Sequence, residues 1–190
     1  ERDGISDYAN FNDFFTRALK PQARPISESP IISPVDGVVS QAGQIKDSRI
    51  LQAKGHHFSL SQLLAGESIE KIENGHFATI YLAPKDYHRI HMPIDGKLVS
   101  MRYIPGDLFS VNHKTVNKVN GVFARNERLV CLFDTVYGRV ACVLVGAIFV
   151  GSMETSWQGQ VTPPYGKEVK VYDYTEKEFE LFKGDELGRF

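Results

Sequence analysis

Between Tyr8 and Leu19 the apolar side chains Tyr8, Phe11, Phe15, Ala18 and Leu19 recur at helical spacing, with Asn10, Asn12, Asp13 and Arg17 turned away. The pattern predicts a short amphipathic helix that Pro21 ends. An apolar stripe of this kind either packs on a sheet or faces a membrane surface. After the Pro-rich link from Pro21 to Pro30 the pattern changes to short β-type runs divided by Gly and Pro: Gly37 to Val39, Ala78 to Leu82, Leu98 to Met101, Arg128 to Phe133, and Arg139 to Val150. One further helix is expected at Ser59 to Ala65, and the charged stretch Thr175 to Gly188 reads as a surface hairpin or loop.

Pro34-Val35-Asp36-Gly37-Val38-Val39-Ser40 returns as Pro93-Ile94-Asp95-Gly96-Lys97-Leu98-Val99-Ser100, and more faintly as Pro164-Tyr165-Gly166-Lys167-Glu168-Val169. The first two copies are Pro-X-X-Gly turns feeding a strand, and the third is one residue shorter between its quoted Pro and Gly. Repeated units of this kind point to a mainly β (α+β) fold, a folded-over barrel or sandwich with a short N-terminal helix. Pro-Asp-Gly is also a common turn composition, and the third copy is too weak to carry weight. The expected division is an N-terminal helix and linker over residues 1–25 and a β-rich core over 26–190.

A length of 190 residues with 42% hydrophobic and 24% charged residues suits one domain with a real core. The 22 basic and 23 acidic side chains nearly cancel, which argues against nucleic acid as a partner. Cys131 and Cys142 each sit in an apolar run, where a thiol serves as a small hydrophobe and a reducing, cytosol-facing compartment fits. The longest apolar stretch, Val140 to Val150, is far short of the roughly 20 residues of a spanning helix. No signal peptide opens the chain, but Glu1-Arg2-Asp3 lacks an initiator Met, so an upstream anchor stays open.

Candidate chemistry begins with His88 and His91 in Tyr87-His88-Arg89-Ile90-His91-Met92-Pro93, just after a strand and a Pro84-Lys85-Asp86 turn. Imidazole exchanges protons near neutral pH, so two within one short segment at a strand end make a catalytic candidate beside the ordinary hydrogen-bonded reading. A zinc reading of His88-X-X-His91 would have to recruit His56, His57 or His113, and no Cys-X-X-Cys or His-Glu-X-X-His frame supports it, so no metal is expected. Asp36 is either a turn residue or a carboxylate that orients a histidine, and Asp95 has the same local setting. Nucleophile-elbow, phosphate-loop and dinucleotide signatures are missing from the sequence.

Along nearly all of its length the chain resembles the bacterial phosphatidylserine decarboxylases. The resemblance rests on Phe11-Asn12-Asp13-Phe14-Phe15-Thr16-Arg17 with Arg24-Pro25-Ile26, Pro34-Val35-Asp36-Gly37, Leu51-Gln52-Ala53-Lys54-Gly55-His56, and Tyr81 to Pro93. It continues through Pro105-Gly106-Asp107-Leu108-Phe109-Ser110-Val111-Asn112, Phe123-Ala124-Arg125-Asn126-Glu127-Arg128, Val145-Gly146-Ala147 and Val150-Gly151-Ser152-Met153-Glu154-Thr155.

The resemblance implies a precursor that cleaves itself before a Ser in a Leu-Gly-Ser-Thr-like motif and converts that Ser to a pyruvoyl group, the electron sink for decarboxylation through a Schiff base with the lipid amine. It maps the orienting carboxylate onto Asp36 rather than Asp95 and the general base of self-cleavage onto His91. His88 is left to manage a proton or the substrate carboxylate during decarboxylation. The last serine here is Ser156, so the resemblance makes this chain the β subunit, completed by a small α subunit that carries pyruvoyl. The implied substrate is phosphatidylserine in an anionic membrane, and the implied location is peripheral, on the cytoplasmic side of the bacterial inner membrane. A homodimer of α–β units is one admissible assembly. A carrier or phosphotransfer module with similar Pro-X-Asp-Gly turns and no decarboxylase activity is the alternative.

Overall fold

In the computed structural model residues 4–53, 55–66 and 69–190 are described; Glu1 to Asp3 and Lys54, which belongs to one of the quoted motifs, lie outside them. A long antiparallel sheet forms the centre. It runs β11 (Lys170–Asp173), β6 (Gly96–Ile104), β7 (Arg128–Thr135), β8 (Gly138–Val145), with β12 (Glu180–Leu181) also paired to β6. Strand β7 explains its own continuous apolar run. Leu129, Cys131 and Phe133 enter one core cluster with Leu98, Met101 and Tyr103, while Val130 and Leu132 enter a second with Ile104, so both faces are covered and alternation is lost.

The first cluster is closed by a four-stranded sheet ordered β10 (Gly159–Thr162), β9 (Met153–Thr155), β13 (Glu186–Arg189), β5 (Arg89–His91), which contributes Met153, Leu187 and Ile90. The second is closed by the hairpin β2 (Arg49–Ala53) and β3 (His56–Ser59) together with helix α2 (Leu60–Leu64). A separate ribbon pairs β1 (Val38–Gln44) with β4 (His76–Tyr81). The sheets are open and do not close into a barrel, while the mainly β, α+β class expected from the sequence holds.

Helix α2 starts and stops where its sequence says. Ser59 accepts from the Gln62 amide at the N-cap, and Ala65 turns left-handed at the other end. The first helix is shorter than the periodicity predicted. A 3₁₀ turn at Ile5–Asp7 precedes α1, which covers only Phe11–Phe15. Asn10 accepts from the Asp13 amide and Asp13 from the Ala9 amide, a reciprocal cap that fixes the start. The Thr16 carbonyl, which a longer helix would use internally, accepts from Arg89 Nε at 2.8 Å instead, and Arg17 turns inward to the Lys85 carbonyl. Tertiary hydrogen bonds thus override the helical stripe at Ala18 and Leu19.

Thr175 to Gly188 is a second correction, because it is not only a surface loop: β13 begins at Glu186 and carries the fully buried Leu187 into the core. The first two Pro-X-Asp-Gly segments lie side by side, with the Ile32 amide donating to the Pro93 carbonyl and the His91 amide to the Pro34 carbonyl. All three echoes lead into strands: β1, β6 and β11. The two remaining short helices, α3 (His113–Val116) and α4 (Val122–Arg125), close the edge near Gln52, whose side chain bonds the Val116 and Val119 carbonyls and the Val122 amide.

Candidate functional site

Strand β5 is only three residues long, yet it is clamped on both sides. β13 pairs along it, His91 opposite Glu186, and the Pro34 carbonyl takes the His91 amide proton. The Met92 amide then donates to the Asp185 carbonyl. The backbone from His88 to Met92 is therefore held on both sides although it forms no long strand, and both histidines sit on this clamped segment.

His88 is buried, 2% exposed, with the Phe15 ring 4.1 Å from its own and the Phe190 ring 6.4 Å away on edge. A carbonyl can only accept, so the 2.8 Å contact from His88 Nδ1 to the Asp86 carbonyl places a proton on Nδ1. Burial holds the His88 pKa below the usual histidine range, against the Asp86 hydrogen bond, which raises it. A neutral ring with its proton on Nδ1 keeps a lone pair on Nε2. The role of α1 follows from the same contact: Phe15 packs on His88, while Phe11 stays 76% exposed, so the apolar stripe is divided between the site and the outside.

His91 Nδ1 donates at 2.8 Å to the Gly184 carbonyl, and its Nε2 lies 2.9 Å from the Tyr87 hydroxyl. The Tyr87 and His91 rings are stacked, with centroids 5.7 Å apart and 20° between planes. Asp36 meets Arg24, whose Nε and Nη2 approach its Oδ2 at 2.7 and 2.6 Å. In this conformation Asp36 and His91 are not hydrogen-bonded to each other; Asp36 is nonetheless close enough to act electrostatically on the Tyr87 hydroxyl, as are Arg24, Arg89 and Glu186. His88 and His91 face different carbonyls, and among the described residues no three His, Cys, Asp or Glu side chains converge as a metal site.

The two Asp-Gly turns separate clearly. Asp95 Oδ1 accepts from the Lys183 amide at 2.6 Å and so ties down the loop that carries Gly184. Asp36 remains on the histidine side, beside Tyr87. Sequence reasoning missed Tyr87, Gly184 and Arg24. Tyr87 adjoins His88 and lies in the same quoted segment, but Gly184 is 93 residues from His91 and nothing local links them.

Strand β13 completes the site. Between β5 and β9 it brings the chain past His91 to His88, where the Phe190 amide donates to the His88 carbonyl at 3.2 Å. Arg189 holds Glu154 of β9 through Nε and Nη2 at 2.8 to 3.0 Å, and Arg89 holds Glu186 at 2.7 Å.

The model of the phosphatidylserine decarboxylase family matches residues 11–190. The chain is 57% identical over 188 residues to a phosphatidylserine decarboxylase proenzyme of Methylobacillus flagellatus, covering 98% of this chain and 67% of that protein. It is 57% identical to the proenzyme of Pseudoalteromonas atlantica, covering 100% of this chain and 69% of that protein, and 56% identical to that of a Shewanella species, covering 96% and 66%. The chain thus spans about two thirds of the length of these relatives.

Proposed function

The chain belongs to the phosphatidylserine decarboxylase family, carboxy-lyases, and from that premise we propose that it is the β subunit of an enzyme that converts phosphatidylserine to phosphatidylethanolamine and CO2. The observation that carries the reading is the pair of Nδ1-protonated imidazoles on one clamped segment, with β13 leading the chain to them.

The residues present fit a pyruvoyl group carried by a separate α subunit. His88 offers a buried lone pair between two aromatic rings, and His91 offers a second imidazole on the same segment. When bound, the pyruvoyl carbonyl would supply the electron sink for the pair that stays on the substrate carbon as CO2 departs. The chain's own residues do the rest. In maturation, His91 takes the proton of the serine hydroxyl that attacks the preceding carbonyl, and Asp36 supports the resulting imidazolium through its charge. In the decarboxylation step, neutral His88 accepts or holds a proton beside the substrate carboxylate, and the Phe15 and Phe190 rings exclude water from it.

Access to a diacyl lipid calls for contact with an anionic membrane, so the working location is peripheral, on the cytoplasmic face of the bacterial inner membrane. Among the described residues no helix is long and apolar enough to cross a membrane, and the exposed Phe11 on α1 offers an apolar contact for a surface. In the full-length precursor, His91→Ala is expected to stop self-cleavage. His88→Ala is expected to leave cleavage intact and slow decarboxylation by about 10²-fold or more, the usual worth of a general acid or base. A His88→Ala enzyme that cleaves itself and decarboxylates at the normal rate removes His88 from the mechanism.

A further inference from the structure

The two hydrogen bonds on the His91 ring together decide its tautomer. Gly184 can only accept through its carbonyl, so Nδ1 is protonated, and in the neutral ring Nε2 must then accept from the Tyr87 hydroxyl. Both partners are built in. Gly184 has φ +94, and a Cβ there would stand 2.9 Å from Ile26 Cδ1, so glycine alone lets this turn aim its carbonyl at the ring. Its amide is fixed to the Met92 carbonyl, and its neighbour Lys183 to Asp95 and to the Ser27 and Ser29 carbonyls. Tyr87 is 7% exposed, and burial, opposed by Arg89, pushes its pKa up, so the phenol keeps its proton at neutral pH.

We propose that Tyr87 is a positioning residue for His91: its hydroxyl marks Nε2 as the proton-accepting ring atom and is the group that the serine hydroxyl replaces there when self-cleavage begins. This rests on the reading of His91 as the maturation base. The serine O–H bond breaks as its oxygen bonds to the preceding carbonyl carbon, an N–H bond forms at Nε2, and the proton already on Nδ1 stays there, donated to the Gly184 carbonyl, so the ring becomes an imidazolium. The phenol oxygen beside Nε2 can then accept from the charged ring, a stronger bond than the one it gave to the neutral ring. The charged groups that reach Tyr87, namely Arg89, Glu186, Asp36 and Arg24, stay in place when the hydroxyl is removed.

The test is a time course of self-cleavage of the full-length precursor after cell-free translation, between acid and alkaline pH, for wild type, Tyr87→Phe and His91→Ala. Tyr87→Phe keeps the stacked ring, and its cleavage is expected to be roughly tenfold slower, the worth of one hydrogen bond to a charged group. A His91→Ala precursor that still cleaves overturns the base assignment itself. A blocked His91→Ala beside a Tyr87→Phe of wild-type rate and pH profile overturns only the role of Tyr87. Ring ¹⁵N shifts of His91 in the wild-type processed enzyme keep the question decidable if Tyr87→Phe fails to fold: protonation at Nδ1 is expected, and protonation at Nε2 overturns the inference.

Discussion

Replacing Gly188 by alanine tests how the fold holds the site. Gly188 lies in β13 between β5 and β9, paired with Ile90 on one side and Thr155 on the other. A Cβ there would stand 2.3 Å from the Glu154 carbonyl oxygen, 3.3 Å from the Glu154 carbonyl carbon and 3.3 Å from Thr155 Cα. All three are backbone atoms, so no side chain can rotate away, and β13 must move off β9 by about 1 Å to restore ordinary contact. Overpacking of this kind costs about 1–3 kcal/mol. The half-exposed Arg189–Glu154 pair adds up to about 1 kcal/mol where it is disturbed. For a domain of this size the sum, about 1–4 kcal/mol, corresponds to a Tm lower by about 2–16 °C.

The same shift displaces Phe190 and the β5 partners of His88 and His91, and a misplacement of about 1 Å at a reacting centre costs on the order of 10²-fold in rate. Thermal unfolding of the processed enzyme and a self-cleavage time course of the precursor measure the two effects. Gly43→Ala in β1, whose new Cβ would meet nothing nearer than 3.8 Å, is the control and should change neither. A Gly188→Ala precursor that cleaves and melts like the control would refute the claim that β13 sets the site.

Burial places the His88 pKa in the folded chain below the 6.5 of an unperturbed histidine, so the unfolded chain binds more protons in the interval between. The stability linked to His88 is therefore complete above pH 6.5 and is lost as pH falls through the folded value; urea midpoints should drop in that interval, and His88→Gln should remove that part of the drop. Glu127 has the opposite sign. The residue is 3% exposed, its Oε1 has no hydrogen-bond partner, and burial raises its pKa despite the Thr162 hydroxyl. Stability linked to it declines as pH rises above the ordinary carboxyl range, and Glu127→Gln should flatten that decline in the same urea series. Phe15→Ala exposes His88 on the side of α1, and should raise the His88 pKa toward 6.5 in an NMR titration while leaving the β5–β13 pairing intact.

What the sequence made legible follows from the range of the forces involved. Helix α2 and strands β6, β7 and β8 were visible because caps and apolar runs are local signals. Strand β5 was not, because three residues, Arg-Ile-His, carry no period and are strand only through β13 and the Pro34 carbonyl. Strand β13 lies in a stretch whose sequence reads as a charged surface segment, since its one buried apolar side chain, Leu187, is flanked by Glu186 and Arg189, whose partners, Arg89 and Glu154, are distant in sequence. Both histidines and Asp36 could be named from motifs, but what touches them could not. Arg24 on Asp36, Tyr87 on His91 Nε2 and Gly184 on Nδ1 are set by how the linker and the 182–185 turn fold onto β5.

The central claim is that this chain serves a pyruvoyl-dependent lipid decarboxylase, and intact mass of the protein purified from its full-length gene tests it most directly. After cyanoborohydride and phosphatidylserine, the account predicts two chains, the smaller one heavier by a reduced lipid adduct. A single uncleaved chain that gains no adduct would contradict it.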